Sequence, residues 1–226
     1  MDGKNGLQFV YREQDMCPAE QIFLLMPDRN IRMAMEKHEG IWEVRVPFTG
    51  IPERYKYELD GVLRLNDPSA DSRMRDADGE VWSVTGSREI CREAAGRQSG
   101  ITTGRLVVTN HLWERTRLAI VHREFSRSVD SRVVCGIYCR DIAKLHALTA
   151  VFRCPDRRIF HIVEDAAVEG LGSEAELWFW MSLQEEGRNY PEGMWSVQIF
   201  VDGRFCREEV FRVKEDLQES RRGFYW

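Results

Sequence analysis

Residues 54–71 read RYKYELDGVLRLNDPSAD. Tyr55, Tyr57 and Leu59 alternate with Lys56 and Glu58, the period of two that belongs to a strand with one face on a core. Asp60-Gly61 then offers residue types that accept the positive φ angles of a tight hairpin. A short second run follows, Leu63 to Leu65, and closes on Asn66-Asp67-Pro68. Proline fixes its own φ and pushes the residue before it out of the helical region, so the chain leaves the hairpin by a rigid corner.

The same grammar extends outward. Alternation predicts strands at 7–11, 20–26, 41–48, 54–61 and 80–85, with turns at Pro27-Asp28-Arg29-Asn30, Thr49-Gly50-Ile51-Pro52 and Asp78-Gly79. Residues 87–100, SREICREAAGRQSG, lose the alternation; Ser87 is a candidate cap and Gly96 a candidate stop for a short helix. Strands are predicted again at 105–109, 115–121, 131–139, 147–153, 159–163, 175–183, 194–201 and 205–213. Asp202-Gly203 joins the last two. GIWEVRV at 40–46 is echoed by GMWSVQI at 193–199: each has a glycine, then a tryptophan for the core, and an Asp-Gly pair further on.

Composition narrows the classes of function. Of 226 residues, 43% are apolar and 31% charged, enough for a core and a solvated surface. Net charge is −5 with the signs mixed, so neither nucleic acid nor an anionic membrane has an electrostatic footprint to meet. Apolar runs are of strand length, too short to span a bilayer. The first residues, MDGKNGLQFVYREQDM, lack the basic start and apolar core of a secretory signal, and a cytoplasmic location is the expectation. Reduced thiols are then expected for Cys17, Cys91, Cys135, Cys139, Cys154 and Cys206. Cys135 and Cys139 stand about 13 Å apart along a strand, too far for one tetrahedral zinc unless the chain turns at Gly136, and read as small buried apolar residues.

Catalysis has no sequence signature. Neither a Gly-x-Ser-x-Gly elbow, a P-loop nor a GxGxxG occurs. His38, His111, His122, His146 and His161 are scattered, and His161 reads as solvent-facing. Glu208 and Glu209 point to opposite faces of their strand. The expectation is a protein that is not an enzyme, with no catalytic residues, cofactor or metal.

Residues 20–85 resemble the N-terminal early-set modules of isoamylases and glycogen-branching enzymes, and the related glycogen-binding domain of the β subunit of AMP-activated kinase. Met35, Gly40, Trp42, Val44, Val46, Tyr55-Lys56-Tyr57, Asp60-Gly61 and Asp67-Pro68 carry the likeness. With it, the expected fold class is all-β: two tandem immunoglobulin-like antiparallel β-sandwiches. The first occupies 1–86, a linker 87–103, the second 104–214, and an aromatic tail 215–226. The resemblance implies an α-glucan ligand, such as glycogen or starch, gripped by aromatic faces and a lysine. Lys56 matches that lysine and is expected to face out, with Trp82 as one platform. The tryptophans expected near Asn30 and after Asp60-Gly61 are replaced, by PDRNIR at 27–32 and by Leu63-Arg64.

AELWFWMSL at 175–183 is apolar on both faces, which suits a strand covered on both sides. Trp178 and Trp180 are expected to cover the junction with the first sandwich or a second copy. Phe224, Tyr225 and Trp226 are expected to dock on this chain or a partner, since three aromatics are costly to leave in water. Two non-catalytic functions therefore compete: α-glucan binding through Lys56 and Trp82, and a scaffold or adaptor holding a protein partner or forming a homodimer. A small hydrolase with a site at the junction is the third.

Overall fold

The computed structural model describes residues 6–86, 100–110, 121–168 and 174–215. Apart from one 3-10 turn, the regular secondary structure of these residues is β. The early strands are β1 (Gly6–Arg12), β2 (Ile22–Met26), β3 (Ile31–Ala34), β4 (Glu36–His38), β5 (Ile41–Pro47), β6 (Arg54–Leu59), β7 (Leu63–Leu65), β8 (Ser72–Arg75) and β9 (Val81–Val84). They form a three-stranded sheet, β1-β5-β4, and a larger one, β3-β2-β6-β9-β8, with β7 paired to β6. The later strands are β10 (Thr102–Thr109), β11 (Glu124–Ser126), β12 (Arg132–Arg140), β13 (His146–Arg153), β14 (Ile159–Ala167), β15 (Glu174–Ser182), β16 (Gly193–Val201) and β17 (Arg204–Lys214). They form β10-β12-β15 and β11-β17-β16-β13-β14. No described helix is long and apolar enough to cross a membrane.

Both Asp-Gly pairs make hairpins, for the reason their residue types suggest. Asp60 and Gly61 have φ of 50° and 70°, Asp202 and Gly203 of 54° and 84°. Each aspartate then does a second job. Asp60 Oδ1 accepts the Glu20 and Gln21 N–H groups at 2.8 and 2.9 Å, tying the hairpin to the chain entering β2. Asp202 Oδ1 accepts the Ala147 N–H at 3.0 Å, tying the other hairpin to β13.

The Asp67-Pro68 corner is a hydrogen-bond hub as well as a turn. Asp67 Oδ2 accepts the Tyr55 and Tyr57 hydroxyls at 2.9 and 3.1 Å, and Oδ1 accepts the Ser69 N–H at 2.7 Å. Its own N–H donates to Ser83 Oγ at 2.8 Å. Buried phenols need partners, which accounts for tyrosine rather than phenylalanine on the inner face of β6. Burial first, and the adjacent Asp67 carboxylate second, hold both phenols well above their ordinary pKa.

Strand pairing divides the chain; packing does not. Every described pairing up to β9 stays within the first group, and every pairing from β10 within the second. One core lies between the two later sheets and includes Phe125, Cys135, Phe152, Phe179, Trp195 and Phe211. The other is built on Phe9, Trp42, Tyr55, Tyr57 and Leu65 but also takes in Val151 and Phe200, with Ile162 and Phe205 against it. The β13 and β16 strands thus bury both faces. The contact reaches van der Waals limits at Gly203, where a β-carbon would lie 1.8 Å from the Asn66 carbonyl oxygen.

Several expectations need correction. The 3-10 turn Pro27–Arg29, with Asn30 at φ 53°, stands where a turn was predicted. By contrast β3, β4, β8 and β11 had no expectation, and β11 pairs with β17 in parallel, so pairing in the second group is not wholly antiparallel. His161 is half-buried beside Phe152 rather than facing solvent. Predicted strand 115–121 falls almost wholly, and the predicted helix within 87–99 and the tail residues Phe224, Tyr225 and Trp226 wholly, outside the described residues.

Candidate functional site

Lys56 and Trp82 do come together, but away from solvent. The strand alternation places Lys56 opposite Tyr55 and Tyr57, as the sequence predicts. The face it enters is occupied by β14 of the second group. Lys56 is 0% exposed and Trp82 6%. The ammonium donates to Glu80 Oε1 at 2.8 Å and to both carboxylate oxygens of Glu164, at 3.0 and 2.8 Å. Glu164 Oε1 also accepts the Val81 N–H at 3.0 Å, so one carboxylate joins β14 to both β6 and β9. Lys56 Nζ sits 5.0 Å from the centre of the Trp82 ring. Trp82 Nε1 donates to Asp76 Oδ2 at 2.8 Å, and Arg54 lies 5.9 Å from the same ring. The expectation that Lys56 faces out is corrected: a lysine with two carboxylate partners can be desolvated, and here it serves as a joint between the groups.

A second ionic cluster, which the sequence reading missed, lies at the Asp202-Gly203 hairpin. Asp202 Oδ2 is 2.8 Å from His146 Nδ1, and Oδ1 is 2.9 Å from Arg73 Nε. Arg73 comes from β8 of the first group, and its Nη2 donates to the Asp67 carbonyl at 3.0 Å. Gln14 completes the seam by imitating a strand edge: its Nε2 donates to the Gly203 carbonyl at 2.8 Å and its Oε1 accepts the Phe205 N–H at 2.7 Å. The only signal in the sequence was Asp202-Gly203 itself, which is fully accounted for by a hairpin.

Trp178 and Trp180 do not make the junction. They lie on β15, the edge of the three-stranded sheet, while the first group meets the second through β13, β14 and the β16–β17 turn. Leu177, Phe179 and Met181 face the core, so both tryptophans point away from it. Trp178 lies across Gly136, its register partner, so closely that a β-carbon there would be 2.4 Å from the ring. Trp180 is 50% exposed, and Tyr138, on the same outer side of β12, is 36% exposed with its hydroxyl donating to Glu174.

Cys135 and Cys139 are poor nucleophiles. Both face the core; burial pushes the Cys135 thiol far up and the Cys139 thiol to about 11. Among the described residues no group of three or more His, Cys, Asp or Glu side chains is arranged to hold a metal ion.

No family model and no curated protein matches the chain. Among solved structures it is similar to an alkylpurine DNA glycosylase from Pseudomonas fluorescens bound to DNA containing an abasic site analogue, at 10% identity and a TM-score of 0.37. That likeness covers 56% of this chain and 33% of the glycosylase, so the chain matches about a third of that protein's length. It is also similar to an immunoglobulin-like protein from Pseudomonas aeruginosa, at 13% identity and a TM-score of 0.35 over 52% of this chain and 98% of the other. A DUF3823 family protein from Bacteroides ovatus gives 8% identity and 0.30 over 93% and 100%. At these TM-scores the likenesses identify neither a fold family nor an activity.

Proposed function

We propose that the chain is a non-catalytic adaptor: two immunoglobulin-like sandwiches fused through one face, with the outer face of β10-β12-β15 as the surface that holds a protein partner. The observation that carries this reading is the contrast in exposure between two tryptophans. Trp82, which a glucan would need, is 6% exposed and held between Lys56 and Arg54; Trp180 is 50% exposed at a sheet edge. Aromatic residues beside a strand edge supply large contact area at low entropic cost, the composition favoured at the centres of protein interfaces. Glu164 and Glu80 engage the Lys56 ammonium, which has no exposed surface to offer a sugar hydroxyl; this supports the adaptor over the α-glucan.

Two assays test it together. Wild type is expected to stay in the supernatant when glycogen is sedimented. Immobilised wild type is expected to retain a protein that Trp180→Ala loses and Val62→Ala, a control at another exposed apolar position, keeps. Sedimentation of wild type with glycogen would overturn the reading, as would equal retention by Trp180→Ala.

A further inference from the structure

The seam between the two groups opens into a cleft of about 750 Å³, within the range of small-molecule sites. Its charge is one-sided. Arg73, Lys144 and Arg204 line it as cations, His146 stands with them, and Asp202 is the sole carboxylate in the lining. Asp202 is already committed: Oδ1 lies between Arg73 Nε and the Ala147 N–H, and Oδ2 meets His146 Nδ1. It cannot also neutralise Lys144 and Arg204. Both of these are exposed, and neither has an ion-pair partner among the described residues.

A second observation points the same way. His146 is 2% exposed, and its Nε2 is buried with no hydrogen-bond partner. An unmet polar atom on a buried ring is costly, and native structures seldom leave one without a use. Nδ1 faces the Asp202 carboxylate, so in the doubly protonated ring Nε2–H is the donor left to meet an incoming acceptor. Arg73, whose side chain is 3% exposed, is also under-used: Nε is close to Asp202 but not aligned as a hydrogen bond. Ile101, Val201 and Phe205 give the remaining wall apolar surface, beside the hydroxyl of Thr103.

We propose that this cleft binds a small organic anion, with a carboxylate or phosphate head among Arg73, Lys144, His146 and Arg204 and an apolar body against Phe205 and Val201. The two cations at the mouth attract and hold the head; the buried arginine and histidine supply directed donors. The site is separate from the Trp180 face and stands whether or not that face holds a partner. Because both groups contribute walls, its occupant stabilises the seam.

The test uses the full chain and four probes: phenyl phosphate, benzoate, inorganic phosphate and uncharged benzyl alcohol. Calorimetric titration is expected to show saturable binding of phenyl phosphate or benzoate, at least tenfold tighter than inorganic phosphate, and none of benzyl alcohol. Which of the two aromatic anions binds tighter identifies the head group. The Lys144→Ala/Arg204→Ala variant changes only exposed side chains, and its far-ultraviolet spectrum is expected to match wild type while affinity falls at least tenfold. No saturable binding of either aromatic anion by wild type overturns the proposal. So does equal affinity in the folded double variant, or binding of benzyl alcohol as tight as that of the anions.

Discussion

The carbonyl oxygen of Asn66 occupies the space that a β-carbon on Gly203 would fill, at 1.8 Å from its ideal position. The two residues belong to different strand groups: Asn66 directly follows β7, and Gly203 lies in the β16–β17 turn. Backbone meets backbone there with no flexible side chain to move aside. Gly203→Ala therefore has to part the seam as well as pay for its φ of 84°. The expected loss is about 3 kcal/mol or more. Gly61→Ala is the control: its φ is 70°, but the nearest atom to a new β-carbon is the mobile end of Arg32 at 3.9 Å. That change is expected to cost ~1 kcal/mol, the backbone penalty alone. Urea denaturation of the two variants separates the effects.

Glu164 and Lys56 form a pair whose members are unequally buried. Lys56 has no exposed surface, while the side chains of Glu164 and Glu80 keep 19% and 34%. Removing the acid strands a fully buried ammonium with one partner fewer; removing the base leaves carboxylates that can rehydrate. Glu164→Ala is expected to destabilise by ~3 kcal/mol and Lys56→Met by ~1–2 kcal/mol. Combining them is expected to cost less than the sum, which a double-mutant cycle measures.

Asp67→Ala tests the corner. It leaves the Tyr55 hydroxyl without an acceptor, whereas Tyr57 keeps the Val10 carbonyl at 3.1 Å. A loss of ~3 kcal/mol is expected, of which Tyr55→Phe in the same background restores a part, because the stranded donor is gone. Equilibrium denaturation of the single and double variants is the measurement.

His161 sets a pH dependence. Burial, and then the nearby Arg188 charge, lower its pKa below the ordinary 6.5, with Glu185 opposing. In the window between the lowered value and 6.5 the unfolded chain binds more protons than the folded one, so stability rises with pH there and falls as pH drops through it. The midpoint of urea denaturation is expected to decrease from pH 7.5 towards pH 5.5, and His161→Gln to flatten that slope.

What the sequence disclosed and what it hid follow from the range of the interactions. The hairpins at Asp60-Gly61 and Asp202-Gly203 and the strands around Trp42 and Trp195 were legible because local alternation and turn chemistry decide them. β3, β4 and β8 are short and mostly exposed, and β11 is three residues with Phe125 as its one apolar side chain; their pairing comes from neighbours, and they carry little apolar signal of their own. The orientation of Lys56 was read correctly relative to Tyr55 and Tyr57 and wrongly relative to water. Alternation tells which side of a sheet a residue takes, but the carboxylate that meets it, Glu164, lies 108 positions away in the chain. Distance along the chain likewise hid the seam cluster of Arg73, His146 and Asp202, whose nearest members in sequence, His146 and Asp202, are 56 positions apart.

The central claim is that the sheet face bearing Lys56 is the joint between the strand groups rather than a ligand surface. Amine-reactive labelling of the native chain, read residue by residue by mass spectrometry, tests it most directly. Lys56 is expected to stay unmodified under conditions that label exposed Lys144 fully, and to become reactive only on unfolding. Labelling of Lys56 in the folded protein at the rate of Lys144 would contradict the account.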